Sequence, residues 1–144
     1  KGKSLPVTDE RMTRFWITLK HGVEFVLNSI DIMQGGELFV PKIPSIRIID
    51  LVKALDPKVK YHIVGIRPGE KIHEVLCPEE SAIDTIEFKN YYVIVPYAFD
   101  YEIKFSKFKI NKNKEKGKFV KENFVYDSGT NPHFLTVEEI KKLF

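Results

Sequence analysis

The chain has 144 residues, 43% of them apolar and 30% charged, which suits one folded domain or a substantial piece of a larger protein. No apolar run approaches the roughly 20 residues of a membrane span, and no signal-peptide pattern opens the sequence. The single cysteine, Cys77, excludes an internal disulfide framework and fits a reducing cytoplasm. Cys77 follows an apolar run and precedes proline, so it reads as a small packed side chain. The net charge of +3 is uneven: the stretch from Lys104 to Glu122 carries +6 and leaves −3 on the rest.

In chain order, Leu5-Pro6-Val7-Thr8 is short and extended, and its proline bars it from the centre of a sheet. A polar stretch, Asp9 to Arg14, leads to the bulky Phe15-Trp16-Ile17. From Leu19 the apolar period becomes helical, with Leu19, Val23, Val26, Leu27, Ile30 and Met33 on one stripe. Thr18 is the expected N-cap, and Gly35-Gly36 ends the helix. Glu37 to Val40 reads as a strand. Ser45 is placed to cap a second helix through Ile48, Leu51, Val52 and Leu55, which Asp56-Pro57 stops. Tyr61 to Ile66 reads as a buried strand that ends at Arg67. Helix, strand, helix, strand is an α/β order that includes parallel pairing.

Beyond His73, Glu74 to Leu76 is short and extended, and Pro78 to Ser81 is a polar turn or the start of a short helix. Ile86 to Phe88 and Tyr91 to Val95 form a hairpin around Lys89-Asn90. Apolar residues on both faces of the second strand predict that it is covered on each side. The lysine-rich segment comes next, then a turn-rich connection from Phe124 to Pro132. Thr136-Val137-Glu138-Glu139 has the form of a capping box, and Lys141-Lys142 complements the end of the last helix.

The sequence contains little reactive chemistry. It has no Gly-x-Gly-x-x-Gly turn and no Walker loop. Its four histidines are scattered without ligand spacing, so no metal site is expected. His73 and Glu74 are adjacent, which on a strand sends them to opposite faces. No nucleophile-and-base set emerges. The chain reads as the binding part of an enzyme, with no catalytic residue of its own.

Its notable equipment grips anions. In Ile66-Arg67-Pro68-Gly69-Glu70, an apolar run stops at a cation and the chain turns. A carboxylate stands three residues later. A guanidinium there can hold phosphate oxygens bidentately, and the carboxylate can accept hydrogen bonds from sugar hydroxyls. Arg14 ends a polar loop and is the candidate second cation on the same diphosphate. The bland alternative for Arg14 is a surface salt bridge with Asp9 or Glu10. The lysine-rich segment, with Phe105, Phe108 and Phe119, admits an anion- or nucleic-acid-binding reading, but a solvated edge segment and lysine-rich loop is the favoured account.

The stretches Leu5 to Leu19, Gly35 to Ser45 and Gly65 to Leu76 resemble the C-terminal half of UDP-N-acetylglucosamine 4,6-dehydratases. The inverting enzymes of the pseudaminic-acid pathway, which serve bacterial flagellin glycosylation, are the nearest in pattern. The tail from Phe124 to Phe144 fits their ending less tightly.

The resemblance implies an α/β fold: a small mixed-sheet, C-terminal substrate-binding domain of an extended short-chain dehydrogenase/reductase. Most of the Rossmann domain and its NADP site would lie outside this chain. It further implies that residues 1–144 bind UDP-N-acetylglucosamine, with Arg67 on the UDP phosphates and Glu70 on the ribose. Arg14 would be a second phosphate contact, with Pro6, Val7 and Thr8 running past the uracil and Met12 near it. A cytoplasmic homo-oligomer is implied for the full-length enzyme, with no nucleic-acid or membrane partner. The activity implied for the longer enzyme is C4 oxidation, loss of water across C5–C6 and inversion at C5, the isolated piece being inactive. A UDP-sugar 4-epimerase of the same superfamily would share the phosphate grip.

Overall fold

The computed structural model describes residues 4–96 and 105–144. The opening residues Lys1 to Lys3, and Lys104 at the start of the lysine-rich segment, lie outside the described residues. In chain order the strands are β1 Leu5–Val7, β2 Thr13–Phe15, β3 Leu38–Pro41, β4 Ser45–Arg47, β5 Tyr61–Ile63, β6 Val75–Cys77, β7 Thr85–Glu87, β8 Tyr91–Ile94, β9 Lys118–Phe119 and β10 Tyr126–Asp127. The helices are α1 Leu19–Ile32, α2 Ile48–Leu55 and α3 Val137–Lys141, with 3-10 turns at Glu79–Asp84 and Phe105–Lys109. The class is mixed α/β with several small sheets, as the element order predicts. The chain divides into two compact units, one built from residues 4–16, 43–75 and 127–144 and the other from 17–42, 76–96 and 105–126.

The first unit carries the turn at Arg67. Here β1 pairs in parallel with β5, and β2 pairs antiparallel with β4. Pro6 is tolerated because, among the described residues, β1 pairs on one side only. A small core gathers Ile46, Ala54 and Ile140, with Trp16, Leu51, Leu135 and Val137 packed against it. Helix α3 is opened by the expected capping box: Thr136 Oγ1 accepts the Glu139 amide, and the Glu139 carboxylate accepts the Thr136 amide.

Two expectations fail in this unit. Ser45 does not cap α2. The N-cap is Arg47, which makes no side-chain cap bond. Ser45 instead lies in β4, fully buried, where its hydroxyl accepts from Asn131 Nδ2 at 2.9 Å. Its carbonyl takes the Leu135 amide, so long-range partners outcompete the local cap. The strand from Tyr61 to Ile66 is also shorter and less covered than its apolar run predicts. It ends at Ile63, all three residues are exposed, and Gly65 breaks the extension at φ 86°.

The second unit is an antiparallel sheet in the order β3-β8-β7-β9. The predicted hairpin forms between β7 and β8, and Tyr91, Tyr92, Val93 and Val95 are all buried. Phe88 and Tyr91 stack at 4.8 Å within a core that also holds Ile32, Ile86 and Phe108. Thr18 caps α1 as expected, accepting the His21 amide at 3.3 Å. The apolar stripe of α1 differs from a core face. Leu19, Val23, Val26, Leu27 and Ile30 are exposed, and the helix packs through Ile32 and Phe25.

Cys77 is fully buried, and burial alone pushes its thiol up to about 11. The raised folded-state value means that Cys77 contributes stability that is intact below its ordinary value of 9.0 and is lost as pH climbs toward about 11. Alkylation of the folded protein by iodoacetamide at pH 8 should therefore be slow and should accelerate on adding denaturant. Equal rates in both conditions would contradict the assignment.

Candidate functional site

The turn at Arg67 is closed on itself within the first unit. The Glu70 amide donates to the Arg67 carbonyl at 3.0 Å, and the Arg67 amide donates to Glu70 Oε2, also at 3.0 Å. Gly69, at φ 85°, permits the left-handed step that a β-carbon would resist. The Arg67 side chain is exposed and, among the described residues, its guanidinium has no hydrogen-bond or ion-pair partner. Beside the turn, the Val64 amide donates to the Val7 carbonyl at 2.9 Å. That bond sets Pro6, Val7 and Thr8 along the segment that runs up to Arg67.

The segment after the turn is held residue by residue. Arg14 Nη2 donates to the Lys71 carbonyl at 3.1 Å. Its Nη1 donates to the carbonyls of Ile72, at 3.1 Å, and of Thr13, at 2.6 Å. Nε lies 3.4 Å from the Glu74 carboxylate, and Met12, itself buried, offers its sulfur to Nη2 at 3.7 Å. The Thr13 amide also donates to the Ile72 carbonyl. Strand β2 thus clamps the segment from Lys71 to Glu74 through one guanidinium and one amide.

The sequence suggested that Arg14 and Arg67 would share one diphosphate. Arg14 has its Nη groups on backbone carbonyls, and Arg67 is exposed on the braced turn. The two nearby carboxylates that could have paired with Arg14 are themselves occupied. Asp9 binds Arg11 at 2.8 and 2.9 Å, which holds its carboxyl down to about 2, and Glu10 accepts from the Tyr61 hydroxyl.

Sequence reasoning missed Thr13, Ser128 and Gly129. Thr13 Oγ1 lies 2.8 Å from His73 Nδ1 and 2.7 Å from Ser128 Oγ, and the Glu74 amide donates to Ser128 Oγ at 2.8 Å. The only cue was the turn-forming Asp127-Ser128-Gly129-Thr130 itself. In it Asp127 Oδ1 accepts the Gly129 amide at 2.7 Å and the Thr130 amide at 3.0 Å. His73 is engaged with Thr13 and does not form an acid/base pair with Glu74. Among the described residues no cluster of three or more His, Cys, Asp or Glu side chains could hold a metal, and no helix is long and apolar enough to cross a membrane.

Residues 1–96 match the polysaccharide biosynthesis protein family, and the chain belongs to that family. Over 98% of its length it is 47% identical to the C-terminal portion of the inverting UDP-N-acetylglucosamine 4,6-dehydratase of Campylobacter jejuni, covering 42% of that protein. It is 36% identical to the UDP-glucose 4-epimerase of Rickettsia massiliae over 65% of this chain and 29% of that one. The X-ray structure of Pen from Bacillus thuringiensis superposes with a TM-score of 0.72 at 27% identity, over 97% of this chain and 40% of that one. The chain therefore spans well under half the length of the proteins it matches.

Replacing Arg14 by lysine keeps the charge but leaves a single ammonium to serve three carbonyls. Arg14→Lys should cost about 1–3 kcal/mol in equilibrium urea denaturation and speed amide exchange at Glu74. Unchanged stability and exchange would show that the clamp contributes nothing.

Proposed function

We propose that this chain is the nucleotide-sugar-binding portion of a longer enzyme that converts UDP-N-acetylglucosamine by C4 oxidation, C5–C6 dehydration and C5 inversion. The observation that carries this reading is a guanidinium, Arg67, without a partner among the described residues, on a turn whose base is fixed by Arg14. A cation held in this way, its guanidinium paired with no carboxylate among the described residues, suits a diphosphate. In the reading, Arg67 contacts the UDP phosphates. The Glu70 carboxylate, which caps the turn through one oxygen, turns its other oxygen to the ribose hydroxyls. Pro6, Val7 and Thr8 run past the uracil, Met12 lies near it, and Arg14 serves by holding the turn. The similarity to the Campylobacter dehydratase supports the substrate and reaction class of this reading.

NADP would serve the oxidation and return the hydride. The sequence has no glycine-rich dinucleotide turn, so the residues here do not fit that cofactor and its site belongs elsewhere in the longer protein. The open face of α1 agrees with this division. Leu19, Val23, Val26, Leu27 and Ile30 form an apolar stripe of the kind that another part of the protein covers. A cytoplasmic, homo-oligomeric enzyme of pseudaminic-acid synthesis, serving flagellin glycosylation, completes the proposal.

A 4-epimerase is the second reading, favoured by the Rickettsia similarity, and it would use the same grip on UDP. Product analysis separates the two: the dehydratase yields a 4-keto-6-deoxy sugar, and the epimerase yields the C4 epimer.

The test of the grip is UDP binding by the full-length protein. Arg67→Ala should weaken UDP about 10–100-fold in calorimetry, the loss of one charge-assisted phosphate contact. Unchanged affinity, or salt-sensitive oligonucleotide binding mapped to Lys107–Lys121, would overturn the reading.

A further inference from the structure

The turn that bears Arg67 and Glu70 is built on a short support that comes from the far end of the chain. Four successive residues after it, Lys71 to Glu74, are each held. Arg14 holds Lys71 and Ile72 by their carbonyls. Glu74 is held from both sides of its peptide unit: its amide donates to Ser128 Oγ at 2.8 Å, and its carbonyl accepts the Ser128 amide at 2.8 Å. Ser128 is fully buried, and its hydroxyl also donates to the Thr13 carbonyl at 3.2 Å. One serine thus ties β2 to the segment after the turn.

Gly129 completes the support through the absence of a side chain. A β-carbon there would lie 2.6 Å from His73 Nδ1, 2.7 Å from Cγ and 2.8 Å from Cε1. The imidazole therefore sits where an alanine methyl would be, and from that position it reaches Thr13 Oγ1 at 2.8 Å. The backbone at Gly129 does not require glycine, since it is not among the positive-φ residues. Close approach is the sole reason for glycine there. This pair lies beyond the 1–96 stretch that matches the family.

We propose that Ser128-Gly129 is a positioning element for the diphosphate-binding turn, setting the register of Lys71–Glu74 and through it the placement of Arg67 and Glu70. The inference rests on the proposed reading of Arg67. Neither residue touches the ligand; both act through the segment they hold.

The test uses the full-length protein, UDP as the calorimetric probe and UDP-N-acetylglucosamine for kinetics. Ser128→Ala and Gly129→Ala should each weaken UDP binding about 5–20-fold and raise KM similarly, with kcat changed less than about twofold. Adding His73→Ala to Gly129→Ala removes the ring that the new methyl meets. The double variant should return to within about threefold of His73→Ala alone, since the two substitutions act on one contact. Ile86→Val in the other unit, a mild core destabilisation, should leave UDP affinity unchanged. Wild-type UDP affinity in Gly129→Ala, or no recovery in the double variant, overturns the inference when Arg67→Ala still weakens binding. Normal binding by Arg67→Ala overturns the diphosphate reading, and the inference falls with it. Should Ser128→Ala fail to fold, the Gly129 and His73 pair decides the matter.

Discussion

One guanidinium organises the candidate site. Arg14 reaches from β2 to the carbonyls of Lys71 and Ile72, which lie 57 and 58 positions further along the chain, while also binding the carbonyl of its neighbour Thr13. Backbone carbonyls in an irregular segment need donors, and a planar group with five fixed N–H bonds supplies several at once. The charge is offset by Glu74 at 3.4 Å, so the brace is close to neutral as a unit. Glu74 is thus paired with Arg14, and among the described residues the Arg67 guanidinium pairs with no carboxylate, Glu70 binding its backbone amide instead.

The consequence is a division between support and contact. Residues that bind backbone carbonyls cannot offer the same donors to a ligand without releasing the segment they hold. Arg14, Thr13 and Ser128 bind the segment after the turn, and in the proposed reading Arg67 with Glu70 is the edge that meets the ligand. The support draws on both ends of the chain, since Thr13 and Ser128 meet at 2.7 Å across 115 positions. Shortening the chain from either end would remove one half of the brace before it reached the turn itself.

Much of this was legible in local patterns. Thr18 and the Thr136 box announced their helices, and the alternating apolar residues of Tyr91 to Val95 announced a covered strand. Arg67-Pro68-Gly69-Glu70 announced a closed turn bearing charges. Local pattern could not show competition from distant partners. Ser45 has the chemistry of a cap, yet Asn131 claims its hydroxyl. Arg14 has the chemistry of a phosphate ligand, yet the carbonyls after the turn claim its donors. Gly129 carried no periodic or motif signal at all, because its meaning depends on the ring of His73 lying above it. The stripe of α1 was legible in sequence but its exposure was not: period reports which residues share a face, and only the assembled protein decides what covers it.

In this account Arg67 meets the diphosphate while Arg14 keeps to the backbone. A crystal structure of the full-length protein with UDP-N-acetylglucosamine tests this most directly. The Arg67 guanidinium is expected within about 3.2 Å of phosphate oxygens, with Arg14 still on the Lys71 and Ile72 carbonyls. A diphosphate bound away from this turn, or an Arg14 that has left those carbonyls to bind phosphate, would contradict it.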